Sequence, residues 1–236
     1  MMKQWKLLAL GCALLALTGC ASMDSTIQID SDFSGKWEAQ LHTPEPLSKT
    51  ELEAGFDDSV NKIIYDHKHI GDETFEEKQN KEKETLKQFS AKHIKVEAVD
   101  KAGKALNNQT DAKSEYWKIT ASFSDESELT NSYRIIYGAI DKPVALHVIY
   151  PYGEENNAYM FFMGKSYGTT TITVDGDIKT DFKTDGVVNG NTITFEKDQS
   201  IRFVFLKASH TVRNVMIGVV VFGVVVGAYI LWRKRG

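Results

Sequence analysis

Eighteen consecutive residues near the C-terminus, Val215 to Trp232, carry no charge. They read VMIGVVVFGVVVGAYILW and run into Arg233, Lys234 and Arg235. A helix of that length covers ~27 Å, close to the ~30 Å hydrocarbon core of a bilayer. In lipid every backbone N–H and C=O must be bonded within its own segment, so the valines do not argue against a helix. The pattern predicts a transmembrane helix over 213–233 and a tail over 234–236, which its basic residues place on the cytoplasmic side. Gly223 and Gly227 have the G-x-x-x-G spacing that lets two such helices approach as a homodimer. Ser209 to Arg213 is not the Leu-Pro-x-Thr-Gly pentapeptide of a wall-sorting signal, so the run is read as retained.

The opposite terminus carries a second membrane signal. Lys3 and Lys6 supply a positive start, and Leu7 to Leu17 an apolar run too short to cross a bilayer. That is the layout of a signal peptide, here 1–19. It closes on Leu17, Thr18, Gly19 and Cys20, which resembles the lipobox of bacterial lipoproteins. The resemblance implies cleavage before Cys20 and a diacylglycerol thioether on its sulfur, with 20–25 as the lipidated N-terminus. The chain has two cysteines, and Cys12 leaves with the signal peptide, so Cys20 has no intrachain partner. The body between the anchors, 26–208, therefore relies on its core rather than on disulfides. Both anchors are read into one plasma membrane, with the body outside the cytoplasm.

That body is acidic. Setting aside Lys3, Lys6, Arg213, Arg233, Lys234 and Arg235 from the 28 Lys and Arg leaves all 32 Asp and Glu in the remainder, a net charge of −10. Nucleic acid and anionic lipid headgroups both need a basic surface and are disfavoured as partners on that ground.

Hydrophobic periodicity divides the body into elements. Thr26–Asp30 and Lys36–Leu41 alternate around Ser31–Gly35, which predicts a hairpin. Ser48 and Glu51 have the spacing of a capping box, and Leu52, Phe56, Val60, Ile63 and Ile64 follow a helical period over ~49–66. The segment 72–93 is a charged helical insertion with apolar residues only near its ends. From Ile94 onward alternating runs dominate: Ile94–Val99, Tyr116–Phe123, Val144–Tyr150, Ala158–Met163, Thr169–Val174, Asn191–Phe195 and Ile201–Leu206. A cap at Ser124–Asp125 opens a further short helix. Strands in succession with short turns predict an α+β fold, an antiparallel sheet packed with two or three helices, beside the C-terminal span.

Two blocks carry a family resemblance. One is Ile172-Thr173-Val174-Asp175-Gly176-Asp177-Ile178, the other Asn189-Gly190-Asn191-Thr192-Ile193-Thr194-Phe195. With a lipobox ahead of a strand, a Ser-Gly turn, a strand and a helix, the layout resembles the LppM-domain family of membrane-anchored bacterial lipoproteins. The family has Pro-Gly in place of Asp175-Gly176 and Trp in place of Phe195. The resemblance implies an α+β ectodomain that binds lipid or glycolipid at the envelope, and it brings no catalytic residues.

Residue chemistry adds no enzyme signature. Asp30-Ser31-Asp32-Phe33-Ser34-Gly35 matches the first half of a calcium loop, but the twelfth position is Leu41 instead of a bidentate Glu, so a hairpin turn is the better reading. His67 and His69 are two apart, a poor spacing for zinc on one helical face. No nucleophile elbow or phosphate loop occurs. No metal or cofactor is expected. Gly35-x-Trp37 has lipocalin spacing, but the helices that follow interrupt a lipocalin strand order. Tyr159, Phe161 and Met163 share one face of an aromatic strand and form a candidate apolar pocket; core packing is the alternative reading of the same residues. The chain is thus expected to be a non-catalytic envelope lipoprotein binding a lipid, a glycolipid or an envelope partner. A structural subunit assembling through its membrane helix or a sheet edge is the second reading.

Overall fold

The computed structural model describes residues 21–64, 73–106, 113–140, 147–155 and 157–208. The described residues open with β1 (Ser22–Ile29) and β2 (Gly35–Leu47). Helices α1 (Lys49–Ile64) and α2 (Glu73–His93) follow, then β3 (Ile94–Val99) and β4 (Ser114–Phe123). After α3 (Glu126–Gly138) come β5 (Ile149–Pro151), β6 (Ala158–Lys165), β7 (Thr170–Val174) and β8 (Gly176–Ile178). The last described elements are β9 (Val187–Asn189), β10 (Thr192–Phe195) and β11 (Ser200–Lys207).

The strands form two sheets. One has seven strands in the order β3-β4-β2-β1-β7-β10-β9, the other four in the order β5-β6-β11-β8. This corrects the expected single antiparallel sheet. The first sheet is mixed: β1 pairs antiparallel with β2 but parallel with β7, Ile27 lying opposite Ile172. Period-two alternation fixes the face each residue occupies and is blind to the direction of the partner strand. The chain leaves β2 for the helices and the second sheet, and it returns along the free side of β1 in the same sense. The end strands β3 and β9 are not paired to each other, so the sheet is open, unlike a lipocalin barrel.

The expected membrane helix is also not part of this fold. Among the described residues no helix is long and apolar enough to cross a membrane. The three helices are amphipathic or charged, and 213–233, with Gly223 and Gly227, lies outside the described residues.

Local signals explain the helices. Ser48 and Glu51 form the capping box: Ser48 N donates to Glu51 Oε2 at 2.7 Å and Glu51 N donates to Ser48 Oγ at 3.2 Å. Those bonds satisfy donors that the first helical turn leaves free. The N–H of Ser48, with Lys113 nearby, holds the Glu51 carboxyl below its usual range. Leu52, Phe56 and Val60 are the buried stripe of α1. Asp125 caps α3 by accepting from Glu128 N at 2.9 Å, while Glu128 accepts from Ser124 N at 2.7 Å. The charged helix α2 is seated by its C-terminal half, where Leu86 and Phe89 are buried and Glu82 meets Arg134 at 3.0 Å.

One core joins all layers. Trp37 of the large sheet lies 5.8 Å from Tyr137 of α3, ring to ring. Phe195 of the large sheet lies 6.3 Å from Phe203 of the small one. Outward residues of β1 (Asp24, Thr26, Gln28) alternate with buried Met23, Ser25, Ile27 and Ile29, as expected for a sheet with one wet face.

Candidate functional site

The N-terminal end of β1 comes first. The lipobox residues Leu17, Thr18, Gly19 and Cys20 lie outside the described residues. Ala21 is already 8% exposed, and β1 begins at Ser22, four residues ahead of the strand expected from alternation alone. Beside this end, Met23 N donates to Tyr167 O at 3.3 Å and Ser25 N to Thr169 O at 2.8 Å. Thr169 N donates to the Asp24 carboxylate at 2.7 Å. Cys20 is therefore one residue from a strand locked on both sides.

The aromatic strand β6 comes next. Phe161 and Met163 are each 0% exposed. Phe161 stacks on Phe203 at 5.2 Å, within a group that extends to Phe205 and Phe195. Tyr159 is half-buried, edge-on to Phe33 at 4.9 Å and tilted against Phe205 at 6.0 Å. The three thus share a face as alternation indicates, and that face is the packed core.

An open groove of about 500 Å³ lies elsewhere, lined by Asn157, Asp175, Asp177, Asn191, Leu206 and Lys207, with Gly176 and Ala208 between them. The fold builds it where the chain changes sheets. β7 of the large sheet passes through Asp175 directly into β8 of the small one. Asp175 N donates to Ile29 O at 2.8 Å, and Ala208 N donates to Asp175 O at 3.0 Å. A Cβ on Gly176 would stand 2.0 Å from Leu206 O, so the crossing requires a residue without a side chain. Asn191 Nδ2 donates to Val174 O at 2.9 Å and Lys207 N to Asn157 O at 2.8 Å. The Lys207 ammonium stands 4.5 Å over the Phe33 ring. The lining residues thus include two aspartates, two asparagines and one lysine, polar types suited to a small hydroxylated or charged molecule rather than to an acyl chain, with Asn191 Nδ2 already bonded to Val174 O and the Lys207 ammonium over the Phe33 ring.

The groove stands at the far end of β1 from Cys20. Asp175 bonds to Ile29, the last residue of β1, while Cys20 precedes the first. Seven rises of ~3.4 Å separate Ser22 from Ile29, roughly 24 Å.

Other motifs resolve simply. The Asp30–Gly35 loop is a hairpin turn closed by Asp30 N to Ser34 O at 2.8 Å, with Phe33 at φ 66. Its Asp32 carboxylate accepts from Ser34 Oγ at 2.6 Å. In Gly35-x-Trp37, a Cβ on Gly35 would stand 2.0 Å from Gln28 O, and Trp37 is buried. His67 and His69 lie outside the described residues. Sequence reasoning gave no role to Asp175, Asp177 or Asn191, although the Asp-Gly-Asp and Asn-Gly-Asn punctuation marked both segments. Asn157 and Lys207 had no local signal at all, since only the sheet-to-sheet crossing brings them there.

Among solved structures, the chain is similar to the NMR structure of the Mycobacterium tuberculosis LppM folded domain. The TM-score is 0.37 at 8% identity, over 81% of this chain and 92% of that one, a weak likeness of layout. No protein-family profile and no curated protein matches the chain.

Proposed function

We propose that this chain is a non-catalytic, lipid-anchored envelope protein whose ectodomain holds the polar head of a lipid or glycolipid in the Asp175–Lys207 groove. The observation that carries the anchoring is the junction at the N-terminus. A lipobox closing an h-region is followed, after the single residue Ala21, by a strand bonded on both sides. Two acyl chains give stable attachment, since each buried CH₂ contributes ~0.8 kcal/mol. With the single residue Ala21 between Cys20 and β1, the ectodomain is held against the surface its lipid enters. The groove supplies the head-group chemistry: carboxylates and carboxamides for hydroxyls, and Lys207 for a negative group.

Native mass spectrometry of the membrane-extracted protein tests both halves. Diacylglycerol mass on Cys20, absent from Cys20→Ser, supports the anchor; an unmodified cysteine refutes it. A co-purifying polar lipid lost in Asp177→Ala supports the groove; unchanged lipid in that variant refutes its role.

A specific feature favours a second reading, that of an interaction subunit. Val187 on the terminal strand β9 is 74% exposed, an apolar residue on an open sheet edge, where strand addition by a partner occurs. Oligomers in the same spectra, lost in Val187→Lys, mark that reading.

A further inference from the structure

Among the described residues, three polar side-chain atoms in the core have no partner at full hydrogen-bond geometry: Ser25 Oγ, Trp37 Nε1 and Tyr137 OH. Such orphans are rare in folded proteins, and each one costs free energy unless something satisfies it. The topology gathers the three together. Ser25 lies opposite Thr170 in the parallel β1–β7 pair and opposite Ala39 in the β1–β2 pair. Trp37 is two residues from Ala39 on β2, on the same inner face and diagonal to Ser25. The Tyr137 ring lies 5.8 Å from the Trp37 ring. Tyr137 is also close enough to feel the Thr170 hydroxyl, although burial dominates and pushes its phenol pKa upward.

A chain of hydroxyls fixes which lone pairs face this point. Ser166 Oγ donates to Gly168 O. The 2.7 Å contact between Ser166 and Thr170 hydroxyls must then use the Thr170 hydrogen. Thr170 Oγ1 is left as an acceptor. The indole N–H of Trp37 is a donor only, while Ser25 and Tyr137 can each do either.

We infer that one buried water molecule is an integral part of this core, bound at the junction of β1, β2, β7 and α3. It accepts from Trp37 Nε1–H, donates to Thr170 Oγ1, and completes its set with Ser25 Oγ and Tyr137 OH. Buried waters characteristically make about three such bonds to groups otherwise unsatisfied. The site ties the parallel β1–β7 strand pair of the large sheet to α3, and so braces the strand that begins at Ser22.

The test turns on the sign of a stability change in the full-length protein. If the water is bound, Tyr137→Phe and Ser25→Ala each raise the unfolding equilibrium constant roughly five- to thirty-fold. Their combined effect falls short of the product, because both act through one water. If the atoms are true orphans, deleting the phenol hydroxyl leaves stability equal or higher, which overturns the inference. A high-resolution crystal structure of the wild-type protein decides independently should a variant fail to fold. Water density within hydrogen-bond reach of Trp37 Nε1 and Thr170 Oγ1 supports the site, and clean density without it refutes it.

Discussion

Phe161→Ala separates a packed core from a ligand pocket at the most aromatic stretch of the chain. The side chain is 0% exposed, and its ring stacks 5.2 Å from that of Phe203. Phe203 in turn contacts Phe195 of the other sheet and Phe205 of its own strand. Removing the ring loses its transfer free energy and leaves a cavity between two sheets, neither of which can collapse freely. The cost of such a change is about 3–5 kcal/mol. Whole domains are stable by about 5–15 kcal/mol, so roughly a fifth or more of the total is at stake. At roughly 2–4 °C per kcal/mol for a domain of this size, the melting temperature falls by about 6–20 °C. Phe162 is the internal control: it points to the opposite face and is only partly buried, so Phe162→Ala should cost about 1 kcal/mol. Thermal melts and urea titrations of both variants measure the difference. A Phe161→Ala loss below about 1 kcal/mol, or equal losses for the two, would refute a closed core and reopen the pocket reading.

The remaining predictions concern the cap and the sheet crossing. Ser48→Ala removes the acceptor for Glu51 N and should cost about 1 kcal/mol, read as a lowered urea midpoint. Glu51 has a carboxyl pKa lowered in the fold by the Ser48 N–H. Its contribution is therefore full above the unfolded carboxylate pKa, ~4.3, and is lost as pH falls through the folded value. Glu51→Gln should flatten the wild-type stability profile over that acidic window and leave its shape at neutral pH unchanged. Gly176→Ala drives a Cβ into the backbone oxygen of Leu206. A backbone atom cannot swing aside, so the expected loss is about 2–3 kcal/mol, with disorder of the groove visible as lost amide protection in β8 and β11.

The capping box and the first hairpin were legible because their signals are local. A serine and glutamate three apart close their own ring of bonds, and alternation around Asp30–Gly35 needs no distant partner. Alternation also put Tyr159, Phe161 and Met163 on one face. It could not say what that face meets, because a pocket wall and a core wall carry the same residues. The parallel β1–β7 pair was illegible for a related reason. Ser25 and Thr170 are 145 positions apart, and neither run of residues encodes the direction of its neighbour. The groove inherits this non-locality, since it exists only where β7 leaves one sheet for the other.

That placement yields a sharper test of what the groove binds. The proposed anchor, Cys20, precedes the start of β1 in the chain and the groove adjoins the end of β1, and the two ends of the strand are roughly 24 Å apart by strand rise. A head group from the same leaflet can enter the groove only if β1 lies along the surface. If β1 stands upright, the groove faces away and its ligand must come from solution or from another surface. Under the proposed anchoring, Asn191→Cys would put a unique label at the groove, because Cys12 would leave with a signal peptide and Cys20 would carry the lipid. Its fluorescence should be quenched by a head-group quencher in vesicles if the ligand is a lipid of the anchoring membrane. An unquenched label on a folded, membrane-bound protein would exclude that ligand while leaving Cys20 as the anchor, because the two claims rest on opposite ends of one strand.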